Sequence, residues 1–290
     1  MSERILIGTS GWSYDEWTSI FYPKNLKKKN FLSYYSKIFH TNEINSTFYR
    51  IPSKWIVKSW VDRTPDDFTF TAKLPKTITH NSKLDLEKCY EELDYYLTVM
   101  EPLITSKKLT AFLIQLPPSF NKKDHFKFLK EFIVNWPTDY ISENYHLVVE
   151  FRNKSWMNED VFNFLREYSL TYCSVIEPLL PPRMDVTNDE FLYIRFHGFG
   201  DKIWFDYLFN NDEINKYGDL IKKTMSKTKS INIYFNNHFS GYAIKNSFMM
   251  MKKLGLKPRN EPKEIQVHEF DKIKYPPLSK DQTTLDKFFS

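Results

Sequence analysis

Short runs of β-branched, aromatic and aliphatic residues alternate along the chain with longer segments whose apolar positions recur every three or four residues. The short runs lie at 5–9, 42–45, 68–74, 109–116, 146–151, 171–175, 191–197 and 231–236, and the helical spacing at 31–39, 55–61, 86–104, 126–134, 161–168, 213–225 and 242–254. Strand and helix in strict alternation are the pattern of parallel βαβ units, and eight strands are the number that closes a barrel. The fold expected is therefore α/β, a (β/α)8 TIM-type barrel over residues 1–256. Between strands six and seven the segment EPLLPPRMDVTNDE reads as a proline-rich loop instead of a helix. That irregularity leaves an open doubly wound sheet as the structural alternative.

Side chains two apart in a strand share a face, so polar pairs at that spacing near the carboxyl end project into the mouth of a barrel. Glu43 with Asn45, Glu150 with Arg152, Arg195 with His197, and Asn236 with His238 have this spacing, and Lys73 and Gln115 hold comparable positions. Active sites of such barrels sit at that end. Charges buried there must pair with one another, with water or with a ligand, so an internal ion-pair network, for instance Glu150 with Arg152 or Arg195, is the alternative to catalysis.

Glu43, Glu150, His197 and His238 form the candidate catalytic set, as acid and base groups or as ligands of a divalent metal, although the chain has no HExxH or other compact ligand spacing. Paired carboxylates would also serve glycoside hydrolysis. Arg50, Arg152 and Arg195 offer the bidentate donors that phosphate accepts, and Trp12, Tyr49 and Trp156 offer faces for bases or sugar rings. Asn45, Lys73, His80, Gln115, Asn236 and Asn237 complete the expected substrate-binding groups. Five of the seven glycines (Gly8, Gly11, Gly198, Gly200, Gly241) fall at or just after strand ends, where the loops need unusual backbone freedom.

Composition narrows the class without naming a function. Hydrophobic residues at 41% and charged residues at 27% exclude a wholly disordered chain. The start MSERILIGTS lacks the basic and apolar regions of a signal peptide, and no apolar stretch approaches the roughly 18 residues of a membrane span, so a cytoplasmic protein is expected. Cys89 and Cys173 are far apart in patterned segments and are expected as buried free thiols. A net charge of +5 mildly favours an anionic partner such as DNA but is too small to carry that case alone. After Leu256 a polar, proline-bearing stretch over 257–281 reads as a linker or arm.

Several strings are individually distinctive: GTSGWSY at 8–14, FYP at 21–23, EINSTFYRIP at 43–52, KLPKTITH at 73–80, QLPPSF at 115–120, VEFRNKSW at 149–156, YIRFHG at 193–198 and YFNNHFSGYA at 234–243. In this order they closely resemble the domain of unknown function 72 family, the YecE-like proteins. The resemblance covers about residues 5–250 and implies a TIM-type barrel with its motif residues at the strand ends, but no defined activity. Ile176 stands where that family often has an acidic residue, and Phe199 where it often has arginine.

The final segment, QTTLDKFFS, resembles the sliding-clamp (PCNA) interaction peptide of archaeal and eukaryotic replication and repair proteins. One helical turn would gather Leu285, Phe288 and Phe289 into a plug, with Gln282 as a hydrogen-bonding anchor. The expectation is a clamp-associated barrel hydrolase of DNA repair or replication, nucleoid-associated when clamp-bound. By fold analogy with endonuclease IV-like barrels it is a metal-dependent nuclease. The alternatives are a sugar or sugar-phosphate enzyme and a non-catalytic clamp-binding adaptor.

Overall fold

In a computed structural model, which describes residues 4–137 and 145–260, the eight apolar runs become eight parallel strands. They are β1 (Ile5–Thr9), β2 (Thr41–Ile44), β3 (Thr69–Lys73), β4 (Leu109–Gln115), β5 (His146–Glu150), β6 (Thr171–Ile176), β7 (Phe191–Phe196) and β8 (Ser230–Phe235). Their order around the sheet is β1-β8-β7-β6-β5-β4-β3-β2, so each strand lies beside its neighbours in sequence. The seam between β1 and β2 is drawn together by a parallel bridge between Ser10 and Glu43, with the Gly11 N–H donating to the Glu43 carbonyl at 2.7 Å. This excludes the open doubly wound sheet.

The helices are α1 (Phe31–Tyr35), α2 (Ser46–Tyr49), α3 (Lys54–Asp62), α4 (Leu86–Thr105), α5 (Lys122–Val134), α6 (Glu159–Glu167), α7 (Asn211–Thr224) and α8 (Tyr242–Leu254). Five begin at a side chain that accepts from the exposed first turn: Ser53, Asp85, Asn121, Asn158 and Asn210, the last closing a capping box with Glu213. The helix expected over 31–39 stops at Tyr35, and α2 was not foreseen. Among the described residues no helix separates β6 from β7. Thr187 in that loop instead donates to the Leu170 carbonyl at 2.6 Å and accepts from the Tyr172 N–H at 2.8 Å, holding the loop against the start of β6.

One large apolar core lies between the sheet and the helices, and a second, smaller one fills the barrel with Ala111, Leu113, Val148, Cys173, Val175, Phe191, Tyr193 and Tyr234. Small residues opposite large ones make this interior packable: Thr41 and Thr71 leave room for the two tyrosines and bond their hydroxyls at 2.6 and 2.8 Å. The barrel floor is thus apolar, its middle layer is a ring of hydroxyls, and charge begins above it. Both cysteines are buried free thiols. Among the described residues, no helix is long and apolar enough to cross a membrane.

The chain does not leave the barrel at residue 257. The Arg259 guanidinium donates to the Asp67 carboxylate at 2.7 Å, its N–H bonds the Ile38 carbonyl at 2.9 Å, and Asn260 donates to the Lys37 carbonyl at 2.7 Å. All three partners precede the starts of β2 and β3, on the face opposite the strand carboxyl ends.

Candidate active site

Glu43, Glu150 and Arg195 meet inside the barrel because their strands bring the inward column of each to the same height. The Arg195 guanidinium forks between the two carboxylates, donating to Glu43 Oε1 at 2.7 Å and to Glu150 Oε2 at 2.6 Å. Tyr193, two residues earlier on β7, donates to the second Glu43 oxygen at 2.6 Å. Arg152 donates through Nε to Glu150 Oε1 at 2.6 Å and pairs with Glu177 through another nitrogen. None of the carboxylate side chains in this cluster is exposed.

The electrostatics follow from that pairing. Burial drives the Glu150 carboxyl upward, but Arg152 and Arg195 outweigh it and hold the group well below the usual carboxylate range. Glu177 has only Arg152 close by, so burial wins and its carboxyl is pushed up to about 6. His197 is buried, and its Nε2 lies 2.9 Å from Arg152 and 3.4 Å from Arg195. Arginine only donates, so Nε2 must accept from it, while Nδ1 lies 3.0 Å from the Asn236 side-chain amide nitrogen. Burial, reinforced by the two arginines, brings the imidazole down to about 3. His197, expected as a proton donor or metal ligand, thus lies buried with Nε2 turned to the guanidinium groups of Arg152 and Arg195.

Above this network lies a second layer, partly open to the mouth. Lys73 ends β3, and its carbonyl accepts from Thr47 Oγ1 at 2.6 Å and from the Tyr96 hydroxyl at 3.2 Å, which fixes the strand end. Its ammonium sits 3.7 Å from the centre of the Phe48 ring on α2. The His80 ring meets the same Phe48 ring edge-on at 4.9 Å and bonds Thr79 through Nδ1 at 2.9 Å. Asn45 reaches Asn236 at 3.3 Å, and Gln115 turns back onto the Leu116 carbonyl at 2.7 Å.

Other expected site residues lie elsewhere. Trp156 is fully buried, stacks on Phe151 at 4.7 Å and donates to the Phe120 carbonyl, so it is core and no platform for a ligand. Asn237 is buried, donating to Asn246 and to the Tyr207 carbonyl at 2.8 Å each. Trp12 packs edge-on against Trp60 and Phe70. Tyr49 and Arg50 are exposed on and just after α2. His238 stacks on Tyr14 at 4.5 Å and lies 3.3 Å from Glu16, on the rim, apart from the Glu43 cluster. Among the described residues no group of three or more His, Cys, Asp or Glu side chains is placed to hold a metal ion. Of the donors expected for a divalent metal, Glu43, Glu150 and His197 are turned toward arginines and His238 toward Glu16.

Glu177, Tyr193 and Phe48 belong to the cluster but escaped the strand-end pairing. Cys173, Val175 and Glu177 continue the inward column of β6 at the same two-residue step, and that signal would have found Glu177. It also supplies the acid missing at Ile176, one position on. Phe199 packs edge-on against Tyr207 at 5.7 Å and leaves no cation in its place. The tail residues Gln282, Leu285, Phe288 and Phe289 lie outside the described residues.

An eight-stranded parallel barrel with its polar cluster at the strand carboxyl ends defines this molecule as a TIM-type barrel protein with a strand-end site. The chain matches the family described as "Protein of unknown function DUF72" over residues 6–268 and belongs to it. It is 27% identical over 285 residues to the UPF0759 protein YunF of Bacillus subtilis, covering 88% of this chain and 98% of that one. It is 31% identical over 120 residues to the UPF0759 protein YecE of Escherichia coli, 41% of this chain and 40% of that one. A DUF72 family protein from Thermotoga maritima superposes with a TM-score of 0.78 at 31% identity, covering 87% of this chain and 99% of that one. One from Enterococcus faecalis gives 0.76 at 26% identity, covering 90% and 100%.

Proposed function

We propose that the protein is an enzyme of DNA repair or replication that processes a damaged nucleotide in the mouth of its barrel, held at the sliding clamp by residues 282–290. The enzymatic part is carried by one observation. Glu43, Glu150 and Glu177 are paired with Arg152 and Arg195, three acids to two guanidinium groups, while Lys73, beside them and facing the mouth, forms no salt bridge among the described residues. Perturbed groups without a structural partner are what a reacting site requires. Strand-end burial of Arg152 and Arg195 against carboxylates speaks against the phosphate-clamp role first expected of them.

Recruitment is supported by the pattern of Gln282, Leu285, Phe288 and Phe289. Burying three such apolar side chains contributes about 5–9 kcal/mol, against about 2–5 for ordering the segment, which suits reversible tethering. Calorimetry of the full chain with a PCNA-type clamp should show binding that Phe288→Ala/Phe289→Ala weakens by about 100-fold or more. Equal binding by both proteins would overturn the tether. For catalysis, oligonucleotides bearing defined lesions and branches should yield products that Lys73→Met abolishes; no product, or the same products from both, would overturn the enzyme. Mutual pairing of the carboxylates favours one other reading, a clamp-binding adaptor without turnover, which predicts clamp binding and no product.

A further inference from the structure

We propose that Lys73 is a covalent nucleophile whose Nζ condenses with the aldehyde of an open-chain sugar held in the barrel mouth. The inference rests on the reading that this mouth is an active site, and it names the reacting atom and the substrate class.

Lys73 stands one step above Thr71 in the inward column of β3, and Thr71 is bonded to Tyr193 in the hydroxyl layer beneath. The strand end is pinned by Thr47 and Tyr96, so the side chain rises from a rigid base. The Phe48 ring covers it on one side. The acids of the cluster are engaged by Arg152 and Arg195 and, among the described residues, none forms a salt bridge with the ammonium; Glu150 and Glu43 favour its charge from a distance, and burial with Arg195 and Arg152 outweighs them. An amine desolvated beside other cations is the environment that turns lysine into a nucleophile. Burial and then Arg195 bring Lys73 down to about 7.

The substrate class follows from what remains free. Among the described residues no hydrogen-bond donor reaches buried Asn45 Oδ1 or Glu177 Oε1, so both are acceptors that call for donors such as sugar hydroxyls. Asn45, Asn236, His197, Arg152 and Glu177 form one continuous chain of contacts, which places both acceptors at the same mouth. In the step itself a C–N bond forms between Nζ and the aldehyde carbon and the C–O bond breaks. The oxygen leaves as water with the two hydrogens of the amine, giving an imine and needing no oxidant or reductant. An abasic site in DNA and a free sugar phosphate present the same aldehyde.

The intact protein is incubated with cyanoborohydride and, in separate arms, an oligonucleotide with one abasic site, the undamaged oligonucleotide, and deoxyribose 5-phosphate. Peptide mass analysis should find a reduced adduct on Lys73, formed about 100-fold faster at pH 7 than on exposed lysines, whose amines are then almost wholly protonated. Its rate should rise with pH through about 7, as the free amine accumulates. Lys73→Arg and Lys73→Met, each checked for a native circular dichroism spectrum, should give none. Trapping with abasic DNA or with the sugar phosphate supports the nucleophile, and the arm that reacts names the source. Absence of a Lys73 adduct in both arms, or equal labelling of the variants, overturns it. If Lys73 is not trapped while lesion products still depend on it, the nucleophile fails and the enzyme stands.

Discussion

An Arg195→Met variant should lose about 3–5 kcal/mol of folding stability, because it leaves buried carboxylates without their shared cation. The parent guanidinium, 2% exposed, is the link between Glu43 and Glu150, at 2.7 and 2.6 Å. Methionine fills much of the volume, so the deficit is electrostatic, and against a total of about 5–15 kcal/mol it brings the barrel near its unfolding midpoint. Arg195→Lys should fall between, since one ammonium cannot fork to both acids. Urea titration reads the difference as a shift in midpoint at constant slope. The gap should also narrow in acid. Glu150 is depressed in the parent, so its contribution is present above the unfolded carboxyl value and lost as pH falls through the folded one. In the variant the acids that shared Arg195 stay buried but lose that cation, so protonating them costs less and the deficit shrinks as pH falls. A midpoint within error of the parent's would show that the network contributes nothing to folding.

Gly8→Ala should be nearly as damaging, though it adds a single methyl group far from any charge. A Cβ at Gly8 would lie 2.3 Å from the Thr41 carbonyl oxygen, a backbone atom that cannot swing aside. This is the seam where β1 meets β2. There Tyr35 donates to the Thr41 carbonyl and accepts from the Thr9 N–H at 2.9 Å, and Asn42 donates to the Thr9 and Gly11 carbonyls at 3.0 Å each. Forcing the strands apart breaks these bonds, and overpacking of this kind costs about 1–3 kcal/mol, here expected at the upper end. Hydrogen exchange should show protection lost around residues 8–11 and 41–45 while β5 and β6 keep theirs. Uniform loss across the barrel would argue that the seam is no weak point.

The barrel could be read from the chain because strand period and helix period differ, and each apolar run is bounded by polar or proline-bearing segments. The strand-end acids and bases were legible for the same reason, since an i, i+2 pair of charges in an apolar run has no comfortable place except a mouth. Which charge meets which was not legible. Glu43 and Arg195 are 152 residues apart and meet across the barrel interior, and nothing local selects that partner. Trp156 and Asn237 misled because an aromatic or amide after a strand can turn outward to the helices as readily as inward to the mouth. Phe48 was invisible as a site residue because α2 is a single turn whose ring reaches Lys73 only through tertiary packing.

The anchoring of Arg259 and Asn260 on the strand-start face has a mechanical meaning. If residues 282–290 grip a clamp, the described chain ends at the bottom of the barrel and the mouth points away from that attachment. The 21 residues from 261 to 281 span at most about 70 Å, which bounds how far the barrel can stand from a clamp so held. The number of residues in that segment would then set the distance over which the mouth can be presented to DNA, independently of anything inside the barrel.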